Sequence, residues 1–462
     1  MIRAPFPLTD RIALGPLVSV GVIGVFTAML FGVLKLGFPI WSLTFIVAAV
    51  AYIFFTIHRP IVGLIAVICV FFIPIRLEIG VSLLQAVGAG TAALLLLWFL
   101  YERREIVFGK IQIPLLLLGL LIVTSLWFSL DPERTTFYFR RWVFNMMFVL
   151  LLMNLVTSFS VFKRVIWAVM IMAAANSAVG VFDYSAASEF NHRSMGLMEN
   201  ANSFGHLAAL AFPLALYQFL YRKGAIRYAG LTLAGLLLGG VVTSVSRGAL
   251  LSVLFIVAVT LVRERRRAIP LLVVIALALS ATPLLPQYYQ DRVGSLASDI
   301  KNSLAVGQDR GLTSRGYLNS AGLKIWWAHP VVGVGIGNFG HYYVQREFVG
   351  ELQGSDATIA HNIYVQALAE MGVVGAAILL WLLFVSGRSI WRARRVCEPD
   401  SLEWVYFGSI EMMALAIFVS TASYGSLMNN DFWMFIGLTA VSARVALGAR
   451  KRASVAVAEA AA

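Results

Sequence analysis

Three residues of this chain pair anion binding with proton exchange: Arg247, Arg315 and His361. Arg247 follows Ser244-Val245-Ser246 at the mouth of an apolar run, and Arg315 lies in Thr313-Ser314-Arg315-Gly316. His361 stands at the start of another apolar run, with Asn362, Tyr364 and Gln366 behind it. Guanidinium groups grip phosphate oxygens two at a time. Histidine exchanges a proton near neutral pH, and the positive end of a helix dipole favours its neutral, basic form. Arginines can stabilise the charge that grows on a diphosphate leaving group, while an imidazole takes the proton from an attacking hydroxyl. Such a set suits a lipid-linked phosphate or diphosphate. Blander readings stand beside it: His361 as an interfacial anchor, Arg247 as a snorkelling cation, and Arg315 as a solvated loop charge.

A second tier of residues surrounds these three. Arg193, in His192-Arg193-Ser194-Met195-Gly196, offers a third cation or a sugar contact, or else a solvated loop charge. Asn202, Asn362 and Tyr364 are further candidates for substrate contact. Glu370 falls well inside an apolar run, so it should point into the bundle rather than at lipid, either as a structural contact or toward substrate. Arg134, Arg140 and Arg141 are placed to help hold an anionic head group. Gly333, Gly335 and Gly337 suit a tight turn or a close backbone approach, and the Gly372–Gly375 spacing suits close helix packing. Trp326 and Trp327 mark a membrane interface rather than a cofactor site. No CxxC or HxxxH spacing occurs, so neither metal nor cofactor is expected. Cys69 and Cys397 are too few for a disulfide framework.

The elements that must position these residues are membrane spans. Of 462 residues 60% are hydrophobic and 13% charged, against about 25% charged in soluble domains. The apolar residues come in continuous runs of roughly 20, enough to cross a hydrocarbon core as helices and unlike the alternation of a barrel strand. The approximate runs are 15–36, 39–57, 60–75, 81–100, 111–128, 142–157, 163–181, 203–221, 227–243, 247–262, 269–285, 361–386, 404–424 and 432–448. The third is short enough to be re-entrant. The net charge of +13 resides in short loops, where it fixes orientation rather than binding nucleic acid. Arg263, Arg265, Arg266 and Arg267 make one side cytoplasmic, and counting outward puts every other basic loop, and both termini, on that side.

The fold class expected is therefore all-α and integral to a membrane, a polytopic bundle of about 12–14 transmembrane helices with one large loop on the opposite face. Residues 1–181 form an N-terminal bundle and 182–285 a central set of helices carrying Arg193 and Arg247. The large loop is 286–360, followed by C-terminal helices over 361–448 and a tail over 449–462. Segment 129–141 reads as a loop that breaks the sign rule, and LNSAGLKIWWAHP contributes a short helix ending at Ala328-His329-Pro330.

Several stretches together resemble the O-antigen ligase and O-antigen polymerase superfamily. They are RSMGLMENANSFGHL at 193–207, the Ser-Arg-Gly at 246–248, the Thr-Ser-Arg-Gly and HPVVGVGIGNF over 313–339, and H-N-x-Y-x-x-x-L-x-E-x-G-x-x-G at 361–375. The likeness runs from about 190 to 385. It implies a GT-C-like, metal-independent, inverting glycosyltransferase of the bacterial inner membrane. Such an enzyme moves a glycan from undecaprenyl diphosphate to an acceptor hydroxyl on the periplasmic side. The acceptor would be lipid A–core for a ligase, a lipid-linked repeat for a polymerase, or a protein. On matching positions the resemblance gives Arg247 and Arg315 to the diphosphate and His361 to the acceptor hydroxyl, with inner-membrane lipids around the chain and a chain-length regulator as a further partner. The alternative is a non-enzymatic glycolipid flippase or transporter, which would need polar groups near the midplane of several helices.

Overall fold

The structure, a computed structural model, describes residues 40–72, 83–102, 107, 109–186, 192–198, 200–264, 313–345, 359–422, 427 and 429–461. The expected spans 15–36 and 269–285 lie outside them, as does most of the large loop. Every regular element among the described residues is a helix: α1 Ile40–His58, α2 Pro60–Phe71, α3 Leu83–Glu102, α4 Gln112–Ser125, α5 Pro132–Leu155, α6 Phe159–Ala186, α7 Ala201–Tyr221, α8 Gly224–Thr243, α9 Arg247–Arg263, α10 Thr313–Ala328, α11 Phe339–Gln345, α12 Ile363–Arg395, α13 Leu402–Ser420 and α14 Asn430–Ala461. Six of these are long and apolar enough to cross a membrane, namely α6, α7, α8, α12, α13 and α14 over Asn430–Lys451, and α1 to α4 add shorter apolar helices. The chain is a polytopic helical membrane protein.

Two compact units divide the chain. The first comprises Met1–Val67 and Gln85–Ile106. In it Thr91 Oγ1 donates to the Val87 carbonyl at 2.7 Å and pairs with the Tyr52 hydroxyl. Gly63 leaves room for the Thr56 and Thr91 side chains.

The second unit holds every candidate site residue. Its centre is α7, buried along almost its whole length and packed by α6, α8, α9 and α13. Small side chains let these helices close on one another. A Cβ at Gly230 would press on the backbone of α7, and one at Gly240 on Ser177 of α6. Side chains cap four of the helix starts, as expected of Asx and Ser at that position. Asp131 accepts from Arg134 N, Asn200 from Ser203 N, Asn362 from Tyr364 N and Val365 N, and Ser401 from Trp404 N.

Several elements differ from the sequence reading: the tail expected over 449–462 continues α14 as helix to Ala461, and α11 lies inside the expected large loop. Segment 129–141 is not all loop: Asp131 caps a helix that Pro132 opens, so Arg134, Arg140 and Arg141 ride on α5. The helix expected from Leu318 begins at Thr313 and takes Arg315 into its first turns, while its end at Ala328 is as expected.

Candidate functional site

One end of the second unit is closed by charge. Arg394, in the last turn of α12, meets Glu411 of α13 at 2.5 Å and Glu264, just past α9, at 3.1 Å. Arg263 meets the other oxygen of Glu411 at 3.0 Å. The Arg394 guanidinium also lies 4.0 Å over the Trp404 ring, and Tyr221 donates to Glu264.

From that end the other can be measured in residues. Helix α9 rises to Arg247 at its first position, about 25 Å away at 1.5 Å per residue. Helix α13 rises to Thr421, whose carbonyl accepts from Ile363 N at 3.0 Å. The start of α12 is thus tied to the far end of α13, roughly 15 Å above Glu411. Between Ile363 and Arg394 a straight helix would cover about 46 Å. The two tethers are compatible only if α12 folds back on itself.

It does so at Gly372, whose φ of 62° and ψ of −163° lie where only glycine is at ease. A helix broken inside a bundle leaves orphan backbone groups, and the glycine-rich loop 329–338 takes them. Val334 N donates to Ala369 O at 3.1 Å and Gly335 N to Glu370 O at 2.9 Å. In return Val373 N donates to Pro330 O at 2.8 Å and Val374 N to Val331 O at 3.2 Å. A Cβ at Gly333 would strike the backbone of Glu370 and Met371, and one at Gly372 the Val331 carbonyl. The glycine run thus serves close backbone approach, as its composition indicates. Gly372 breaks the helix instead of easing its packing.

Glu370 anchors this junction. It is 3% exposed, and its Oε1 accepts from Gln366 Nε2 at 3.1 Å and Phe339 N at 3.3 Å. The Arg134 guanidinium and Tyr138 hydroxyl of α5 lie beside it. Asn338, fully buried, accepts from Asp131 N at 2.7 Å and donates to Thr135 Oγ1 at 2.9 Å. Two oddities of the sequence, a carboxylate in a span and an arginine of the sign-breaking segment, Arg134, thus meet in one cluster. Either oddity is visible in the sequence alone; their meeting depends on packing between segments some 230 residues apart.

The fold-back keeps His361, two residues before Ile363, near the far end of α13 and on the same side of the ion-paired end as Arg247, which by these rises stands about 10 Å farther from that end. His361 itself precedes α12 rather than opening it. Its φ of 54° is left-handed, turning the chain into the cap made by Asn362. That cap is a structural task for Asn362, which accepts from Tyr364 N at 3.0 Å and Val365 N at 3.3 Å. Tyr364 turns to α13, its hydroxyl donating to Phe418 O at 3.4 Å and accepting from Thr421 Oγ1 at 3.4 Å.

Arg193 sits over the turn that leads to Arg247. Its Nε donates to Ser244 O at 3.1 Å and its Nη2 to Asn202 Oδ1 at 2.8 Å. Ser194 N adds a bond to Thr243 O at 3.0 Å. Gly205 of α7 packs directly under Ser244 and Ser246. Arg193, Asn202 and the start of α9 are therefore one assembly. Arg247 is half-buried, and Ser246 makes no side-chain cap to the helix it precedes. The backbone of Arg315 lies near the start of α10. That helix runs alongside the first half of α12 in the same direction, with Gly322 against Val365 and Pro330 bonded to Val373. Arg315 therefore lies toward the His361 end of the pair. Among the described residues, no three His, Cys, Asp or Glu side chains gather as a metal-holding group.

A many-spanning helical bundle with one span broken and folded back at Gly372 is the class of molecule the fold defines. Residues 232–380, about a third of the chain, match the family model described as O-antigen ligase. The match covers Arg247, Arg315, His361 and Glu370 but not Arg193 or Asn202. It supports the O-antigen ligase and polymerase superfamily and, with it, glycan transfer of the O-antigen-ligase kind. No curated protein matches the chain.

Proposed function

We propose that this protein is an inverting glycosyltransferase that works without a metal ion. It takes a glycan from undecaprenyl diphosphate and passes it to an acceptor hydroxyl on the periplasmic side of the bacterial inner membrane, its basic loops and both termini facing the cytoplasm. The observation that supports the reading is the fold-back of α12, which leaves His361 on the same side of the ion-paired end as Arg247, with Arg193 beside that arginine's turn.

In this reading Arg247 and Arg315 hold the donor diphosphate and oppose the charge that builds as the sugar–oxygen bond breaks. His361 accepts the proton of the incoming hydroxyl. Arg193, oriented by Asn202 and the Ser244 carbonyl, adds a contact to the diphosphate or its first sugar. Glu370 supports the half-helix that carries His361 and stays clear of the reacting atoms. The acceptor is lipid A–core or a lipid-linked repeat. A flippase or transporter also favours broken helices. Here the break is filled by backbone of the same chain, which favours a rigid scaffold over a binding cavity at the break.

The test is transfer by purified protein from a lipid-diphosphate-linked glycan. Wild type should transfer equally well in EDTA, and inhibition by EDTA would overturn the metal-free mechanism. A strain lacking the protein should separate the acceptors: unligated lipid-linked polymer accumulates if it is a ligase, single lipid-linked repeats if it is a polymerase.

A further inference from the structure

The break at Gly372 leaves the second half of α12 short for a membrane. From Val373 to Arg388, the first charged residue, is about 24 Å of helix at 1.5 Å per residue, against a hydrocarbon core of about 30 Å. The lipid-facing stripe of this half is plain from exposure: Phe384 at 64%, Leu380 at 55%, Trp381 at 41%, Val373 at 51% and Val374 at 39%. It does not stop at the break. Val373 and Val374 hydrogen-bond the carbonyls of Pro330 and Val331. The exposed apolar side chains of that loop follow at once: Val331 at 58%, Val332 at 38%, and Trp327 at 80% at the end of α10.

The neighbouring helix repeats the pattern. Helix α4 packs on α12 at Gly375 and exposes Ile113, Leu116, Leu117 and Leu120, and just past its end come Trp127, 79% exposed, Phe128 and Leu130. Ser129 touches Gly335, so the two apolar rims meet. Indole rings concentrate where hydrocarbon gives way to head groups. Irregular backbone survives at that depth when its polar groups are satisfied by protein, as the four bonds across the α12 break provide.

We propose that residues 327–332, within the segment that reads from sequence as a large loop with Trp326 and Trp327 at the interface, form a membrane-docked surface. Their partner is the acyl-chain and glycerol layer of the adjacent leaflet, and they complete the lipid-facing wall of the broken span. The inference stands apart from the glycan-transfer reading, because it rests only on the continuity of exposed apolar surface.

Spin labelling in lipid nanodiscs tests it. In full-length protein with Cys69→Ser and Cys397→Ser, one cysteine is introduced at Trp327 or Val331. Val374→Cys serves as the lipid-facing control and Ser320→Cys, on the exposed polar part of α10, as the solvent control. Labels at 327 and 331 should resemble 374, with oxygen collisions several-fold favoured over a water-soluble nickel chelate relative to 320. A ratio like that of 320 means an aqueous loop and overturns the proposal. Low collision with both reagents means a protein partner covers the patch, and overturns it equally. Using two probe sites keeps the test decisive if the Trp327 variant fails to fold.

Discussion

The two ends of the second unit treat arginine in opposite ways. At one end Arg394 is met by the carboxylates of Glu264 and Glu411, with side chains only 13–16% exposed, and stacked on Trp404. Charge there is cancelled and serves to lock α9, α12 and α13 in register. At the other end Arg193 is held by a backbone carbonyl and an amide oxygen, both uncharged. Bonds of that kind orient a guanidinium. The same residue type is a rivet where acids surround it and, under the proposed function, a contact for the donor's anion where neutral oxygens aim it.

The sharpest way to break this comparison is to remove the site end's working groups. His361→Ala should lower transfer by about 10²–10⁴-fold, the usual worth of a general base. Arg247→Ala should lower it by about 10²–10³-fold, the scale of one lost charge-stabilising donor. Both variants should stay folded, because neither touches the ion-paired end. Arg247→Lys should recover little, since an ammonium lacks the planar fork. Transfer assays on purified protein decide the matter; wild-type rates in His361→Ala would remove the base from the mechanism.

Next in size is the converse experiment. Arg394→Ala leaves two carboxylates facing each other in a packed site and should cost about 3–5 kcal/mol of stability, the range for breaking a buried pair. Transfer per folded molecule should hold. Thermal unfolding in detergent, read beside activity, separates the two ends. A large activity loss without a stability loss would mean the two ends are coupled.

Gly372→Ala probes the joint between them. The left-handed φ alone costs roughly 1–3 kcal/mol for a side chain, and the added methyl would overlap the Val331 carbonyl. Stability and transfer should fall together in the same two assays, because the fold-back sets the height of His361. This joint is also where the sequence falls silent. Runs of apolar residues announce the spans well: the expected 203–221 and 227–243 are α7 and α8 within three residues. The turn at Ser244–Ser246 is legible from residue type alone. The reversal of α12 is not, because Glu370-Met371-Gly372-Val373 is good helix sequence until a loop some 40 residues upstream supplies its hydrogen bonds. Arg134 beside Glu370 is hidden for the same reason.

Asn202→Ala is a finer cut. It removes one of two named bonds that aim Arg193 and should cost about 1 kcal/mol, close to fivefold in transfer and felt mainly in the apparent affinity for donor. Asn202→Asp would answer the bond with a carboxylate, converting the receptor arrangement into the rivet arrangement. A larger loss in Asn202→Asp than in Asn202→Ala is expected if Arg193 meets an anion. Equal losses would leave Arg193 a structural residue.

A last measurement tests how tightly the ion-paired end is packed. Cys397 lies just past α12, with its Sγ donating to Ala393 O at 3.2 Å. Burial, helped by the nearby Glu403 carboxylate, pushes its thiol up from 9.0 to about 11. Because the thiolate is the reactive form, at pH 8 only about one molecule in 10³ would carry it, against roughly one in ten for an unperturbed thiol. Maleimide labelling of Cys397 in the folded protein should therefore run about 100-fold slower than in denaturant, and rise tenfold per pH unit until the thiol titrates. Arg394→Ala should erase much of that protection by opening the end where Cys397 sits. His361→Ala should leave it untouched, since nothing at the site end bears on the packing around Ala393.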